Sequence, residues 1–163
     1  MRQQADRRSD CVPLVNTVGQ YFQILDDYKN LSSATYTVNK GLAEDLEEGK
    51  FSFPIIHSIR SDPSNTIVLN ILKQKPKDTD VKRYAISHME KTGSFAYSRK
   101  VLKSLEEEAL KLVEQMESAE SSRGAGAGVR AILERLRVEE EKLPALTNGT
   151  PEPTDATAGR EER

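Results

Sequence analysis

The sequence holds no tryptophan, a single cysteine and two histidines, and aromatic residues make up only 6% of its 163 positions. One thiol, Cys11, can form neither an internal disulfide nor a thiolate metal set, which fits a reducing compartment and a cytoplasmic chain. Cys11 itself is expected to act as a small apolar filler. His57 and His88 do not share a metal-ligand spacing, so each is expected to serve packing or the surface. Long apolar runs are also missing, so neither a signal peptide nor a membrane-spanning segment is expected. With 24 basic and 26 acidic residues the formal charge is −2. That balance gives no electrostatic reason to expect nucleic acid or an anionic membrane as a partner. A Gly-rich nucleotide-phosphate loop is absent as well.

What is present is helical periodicity. The length suits one domain. Its apolar residues concentrate before Leu143. Residues 1–10 are polar and are expected to be a flexible N-terminus, 11–143 to form the domain, and 144–163, rich in Pro, Thr, Gly and charge, to be a disordered tail. Leu14, Val18, Tyr21, Phe22 and Leu25 recur in steps of three and four, with Pro13 in the first turn, and predict a helix from Val12 to Leu31. Lys50–Arg60 is an apolar run around Pro54; a helix starting near the proline suits it, while its isoleucines leave a strand open. Asp62-Pro63 reads as a helix start for the face Ile67, Val68, Ile71 and Leu72, which Pro76 ends. Asp80 is expected to cap the next helix, with Val81, Tyr84, Ala85, His88 and Met89 as its stripe and Gly93 closing it. The longest helix is expected over Ser94–Ser118, then a flexible linker over Ser121–Gly128, then a helix through Val129, Ile132, Leu133, Leu136 and Leu143. The fold class that follows is all-α.

Chemistry concentrates in one stretch. Gln23, Asp26, Asp27 and Asn30 are separated by threes and fours, which sets them on one side of a helix. Paired carboxylates followed by an amide oxygen make a hard-ion site that leaves positions for water and phosphate, as Mg²⁺ prefers. A solvated helix face would carry the same residues. Downstream, Lys40 and Lys50 each adjoin a glycine, where the backbone can approach a ligand closely. Carboxylates, a divalent ion and lysines together can hold a diphosphate, the lysines neutralising what the metal does not.

The run Tyr21-Phe22-Gln23-Ile24-Leu25-Asp26-Asp27-Tyr28-Lys29-Asn30-Leu31 resembles the second aspartate-rich motif of the trans-isoprenyl diphosphate synthases. Asn39–His57, with Gly49-Lys50-Phe51-Ser52-Phe53-Pro54 at its centre, is similar to the segment that follows that motif in fungal-type geranylgeranyl diphosphate synthases. Glu90–Arg99 resembles their late helix junction, and the order and spacing of the three runs agree. The resemblance implies a partial isoprenoid synthase helical bundle lacking its N-terminal helices. It implies a prenyltransferase whose parent activity joins an allylic diphosphate to isopentenyl diphosphate with Mg²⁺, as a homodimer when complete. By motif position it makes Asp26, Asp27 and Asn30 the metal group, and Gln23, Lys40 and Lys50 the diphosphate contacts. Asp26, Asp27, Lys40 and Lys50 become the catalytic set.

Two departures accompany the resemblance. Leu25 stands where those enzymes usually carry arginine. A first aspartate-rich motif and a binding set for isopentenyl diphosphate are not found in the 163 residues, so the isolated chain is expected to be inactive. The alternatives are the prenyltransferase end of a fused terpene synthase, or a non-catalytic helical interaction protein.

Overall fold

The computed structural model describes residues 11–32, 42–118, 124 and 126–138. The expectations for residues 1–10, Lys40, Leu143 and the tail lie outside them. Among the described residues there are seven helices and no strand. They are α1 (Val12–Ser32), α2 (Glu44–Glu48), α3 (Phe53–Ser61), α4 (Ile67–Gln74), α5 (Thr79–Lys91), α6 (Ser94–Glu117) and α7 (Ala127–Leu136). None is long and apolar enough to cross a membrane.

The two long helices form the axis of the fold. α1 packs along α6, and α3 lies against both. The face of α1 that does this is Leu14, Thr17, Tyr21, Leu25, Tyr28 and Leu31, all buried. α6 answers with Phe95, Leu102, Ala109 and Val113. Tyr28 and Phe95 meet edge to face at 6.1 Å, the arrangement that aromatic quadrupoles favour. Phe22, expected on the buried face, is 42% exposed. Leu25, which stands in the arginine position of the resembling enzymes, is instead a core residue.

Several boundaries differ from the sequence expectations. The helix expected to start near Pro54 is present, from Phe53 to Ser61, and the strand left open is not formed. Asp62-Pro63 does not start a helix. Asp62 ends α3, and its carbonyl accepts the Asn65 N–H at 3.1 Å to close a turn. Asn65 Oδ1 then accepts the Ile67 N–H at the first turn of α4. The reason is local: an Asx side chain can cap from either place, and the downstream one keeps Val68, Ile71 and Leu72 buried. α5 is capped by Asp78, whose carboxylate accepts the Asp80 and Val81 N–H groups, so Asp80 sits inside the first turn. On that helix Ala85, Ile86 and Met89 are buried and Tyr84 is exposed. Cys11, expected as a filler, is exposed.

The expected linker includes residues that are helical: Ala127 and Gly128 open α7. Gly126, just ahead of them, lies so close to α6 that an added Cβ would clash with Val113 Cγ1. Its N–H is accepted by Glu117 Oε1 at 3.0 Å, and Arg130 donates to the other oxygen of the same carboxylate. α7 is held at its far end by Tyr21, whose hydroxyl donates to the Leu136 carbonyl at 3.0 Å. Arg137 Nε donates to the buried Glu106 at 2.9 Å.

Candidate functional site

The acidic residues of α1 separate into two roles. Position 26 faces outward and Asp26 is exposed, while position 27 falls on the packed side and Asp27 is buried. Both Asp27 oxygens are engaged. Oδ2 accepts the Phe53 N–H at 2.9 Å, and Oδ1 accepts Lys50 Nζ at 2.9 Å and Gln23 Nε2 at 3.2 Å. Phe53 is the first residue of α3, whose own N-cap, Ser52, makes no capping bond. Asp27 therefore satisfies an otherwise unpaired helix-start donor from a distant part of the chain.

Asn30, one turn further along α1, does the same for α2. That short helix starts after Ala43, which is left-handed at φ 50° and has no side chain to cap with. Asn30 Oδ1 accepts the Asp45 N–H at 3.1 Å. At the other end Gly49 takes φ 75°, a conformation glycine adopts without strain, and turns the chain so that the Lys50 N–H reaches the Asp45 carbonyl at 2.8 Å. Lys82, almost fully buried on α5, donates to Glu47 at 2.6 Å and fixes α2 from outside.

The turn delivers Lys50 Nζ to a pair of carboxylates: Asp27 Oδ1 at 2.9 Å and Asp45 Oδ1 at 3.2 Å. Their hydrogen bonds and charges, Asp27 first, hold the Lys50 ammonium protonated well above the ordinary lysine range. Burial pushes the Asp45 carboxyl up, while Ser52 and Lys50 pull it back. Asp45 Oδ2 and Ser52 Oγ are buried and find no well-formed hydrogen bond, although the Ser52 hydroxyl is near enough to act on the carboxyl. Sequence alone does not single out Asp45. An acid in an acid-rich run carries no signal of its own, and only the fold brings it to Lys50.

Of the sequence-predicted residues, Gln23, Asp27 and Lys50 meet directly, and Asn30 joins them through Asp45. Asp26 lies on the neighbouring outward face, and Lys40 lies outside the described residues. His57 is a packing residue, stacked on Tyr97 at 4.3 Å and hydrogen-bonded to the buried Ser94 at 2.9 Å. Tyr97 stacks in turn on Phe53 at 5.9 Å, which stiffens the start of α3 next to Asp27. A cleft of about 670 Å³ lies elsewhere, lined by Tyr21, Arg99, Lys103, Glu106 and Val138 among others. None of the predicted site residues lines it.

The donor set suits a divalent ion at one edge only. Asp26 offers an exposed carboxylate, the hard oxygen ligand that Mg²⁺ takes along with water and phosphate. Asp27 is buried and Asn30 half-buried, each holding a helix-start N–H, so Asp26 is the more accessible of the three. Among the described residues no three His, Cys, Asp or Glu side chains gather as a metal cluster. The site can thus supply one ligand to a shared ion, backed by a rigid Asp27–Lys50–Asp45 support.

The chain is 58% identical over 133 residues to geranylgeranyl pyrophosphate synthase 1 of Zymoseptoria tritici, covering 82% of this chain and 38% of that protein. It is 55% identical over 131 residues to a geranylgeranyl pyrophosphate synthase of Fusarium fujikuroi, covering 80% of this chain and 31% of that one. A copalyl diphosphate synthase of Talaromyces verruculosus is 52% identical over 139 residues, 85% of this chain but 14% of that protein. The chain therefore spans 31–38% of these two geranylgeranyl pyrophosphate synthases and a much smaller share of the copalyl diphosphate synthase. Residues 1–89 match the family described as polyprenyl synthetase, more than half of the sequence, and the chain belongs to that family.

Proposed function

We propose that this chain is part of a prenyltransferase that makes geranylgeranyl diphosphate from an allylic diphosphate and isopentenyl diphosphate. The observation that carries the reading is the identity of more than half the aligned residues, over about four-fifths of the chain, to proteins named for that product. In such a reaction the allylic C–O bond breaks, diphosphate leaves with the electron pair, and the double bond of the second substrate attacks the allylic carbon. A proton is then lost to restore a double bond. The barrier lies in separating the allylic cation from the departing diphosphate.

In this reading Asp26 is the chain's ligand to Mg²⁺, with Asp27 behind it. Mg²⁺, when bound, supplies positive charge against the diphosphate. Lys50 contributes through its geometry. An ammonium has three donors, two of which are committed to Asp27 and Asp45, and its side chain is 37% exposed. The third is left for a diphosphate oxygen. Gln23 and Lys40 would add polar contacts. The chain's contribution is thus to bind and orient the leaving group. The complete enzyme is proposed to be a cytoplasmic homodimer.

A second reading has its own support in the likeness to the copalyl diphosphate synthase, of which the matched part is a small share. There this segment would be the prenyltransferase end of a larger fused synthase. Sequencing the complete transcript separates the two, since a cyclase-like region in frame favours the fusion.

The activity test is extension of an allylic diphosphate with radiolabelled isopentenyl diphosphate and Mg²⁺. The isolated chain is expected to give no product, and the complete synthase to give a C20 product that falls steeply on Asp26→Ala. Robust product from the 163 residues alone, or none from the complete protein, would overturn the reading.

A further inference from the structure

Lys50 is reached from α1 by two routes that close into a ring. One is direct, from Asp27 Oδ1 to Nζ at 2.9 Å. The other runs from Asn30 Oδ1 to the Asp45 N–H at 3.1 Å, and from Asp45 Oδ1 to Lys50 Nζ at 3.2 Å. Asp27 and Asn30 lie one turn apart on α1, so both ends of the ring are anchored on one rigid element. Asp45 is itself almost fully buried, and the Lys50 N–H is bound to its carbonyl at 2.8 Å.

We propose that Asp45 is a positioning residue for Lys50, and that Asn30 acts through it. Together they aim the ammonium's third donor at the diphosphate.

The physical reason is the number of constraints. A lysine side chain has four rotatable carbons and gives up substantial rotamer freedom when fixed. One carboxylate leaves the ammonium free to swing about a single contact. A second, from another direction, fixes its orientation and leaves one N–H direction open. Preorganised donors of this kind are worth most where leaving-group charge develops. Asn30 is needed because Asp45 sits at the start of a five-residue helix whose N-cap, Ala43, offers no side-chain bond.

This inference rests on the reading of Lys50 as a diphosphate contact. The group Asp27, Asp45 and Lys50 carries net negative charge. Neutralising Asp45 would by charge alone tighten the binding of an anion. Positioning makes the opposite prediction.

The experiment measures inorganic pyrophosphate binding in Mg²⁺ by calorimetry on the full 163-residue chain, with circular dichroism confirming that each variant folds. Lys50→Ala and Asp45→Asn are each expected to weaken binding about tenfold, the scale of one lost charge-assisted hydrogen bond. The double variant should bind no more weakly than Lys50→Ala alone, because Asp45 acts only through Lys50. Unchanged or tighter binding in Asp45→Asn, or losses that multiply in the double variant, would overturn the proposal.

The second measurement is the side-chain ammonium signal of Lys50 in ¹H–¹⁵N spectra. It should be sharp and slow to exchange in the parent chain and lost in Asp45→Asn. If the parent chain binds no pyrophosphate, the diphosphate reading of this chain fails, and the ammonium signal alone decides the positioning. Its survival in Asp45→Asn would reject it. Should Asp45→Asn not fold, Asn30→Ala removes the anchor while keeping both carboxylates, and the same loss of signal is expected.

Discussion

Asp27 and Phe53 are joined by a 2.9 Å hydrogen bond from the Phe53 backbone N–H to Asp27 Oδ2, which ties the middle of α1 to the first residue of α3. The adjacent acids therefore differ in what they do. Asp27→Ala removes an acceptor from a half-buried helix-start N–H and a partner from Lys50, and should cost the chain roughly 2–3 kcal/mol in urea unfolding. Asp26→Ala, at an exposed position, should stay within about 0.5 kcal/mol. Equal losses at the two positions would contradict the division into an anchor and an outward-facing ligand.

Lys82 and Glu47 form a pair in which only the carboxylate reaches solvent, with side-chain exposures of 7% and 41%. Glu47→Gln leaves a buried ammonium without its counter-ion and should lower the melting temperature. Lys82→Met should cost much less, and adding it to Glu47→Gln should restore most of the loss. The hydrogen bond from Lys82 holds the Glu47 carboxyl below the usual glutamate range. A depressed acid stabilises the fold above its unfolded pKa and loses that contribution as pH falls through the folded value. The stability advantage of the parent chain over Lys82→Met should therefore be full at neutral pH. It should shrink below the ordinary glutamate range, and a flat difference across that window would count against the clamp.

Gly126 allows α7 to approach α6. Its φ of −83° is open to any residue, so the requirement is for space rather than for backbone freedom. Gly126→Ala would press a methyl against Val113 Cγ1 and should cost about 1–3 kcal/mol. Val113→Ala opens that space at its own expense. The double variant should be more stable than the sum of the two single losses allows, and strict additivity would show that the two positions are not in contact.

Tyr21 reaches across the bundle to the last residue of α7, donating to the Leu136 carbonyl. Tyr21→Phe keeps the ring in the core and removes only that bond, at about 1 kcal/mol. Hydrogen exchange should speed up in α7 and remain nearly unchanged in α3. Uniform loss of protection would instead place Tyr21 in the global core with no special hold on α7.

Periodicity made the helices legible because each must bury one face. Leu14, Tyr21 and Leu25 announce α1, and Leu102 and Ala109 announce α6. Residues whose burial depends on a neighbour escaped this reasoning. Phe22 and Tyr84 fit a stripe by spacing yet are exposed, since the partner helices lie to one side of it. Where several Asx side chains compete, spacing alone does not choose the cap: Asp78, two residues before Asp80, caps α5.

The site divides in the same way. Sequence alone determined the all-α class, the grouping of Gln23, Asp26, Asp27 and Asn30 on one helix, and the motif likeness that the family match confirms. These follow from spacing along a helix and from residue type, which are local properties. Only the tertiary structure decided that Asp27 is buried and Asp26 is not, that Asn30 caps a distant helix, and that Asp45 shares Lys50 with Asp27. Those facts depend on where the 44–53 segment crosses α1. That crossing is set by long-range packing and by backbone donors that carry no mark in the sequence.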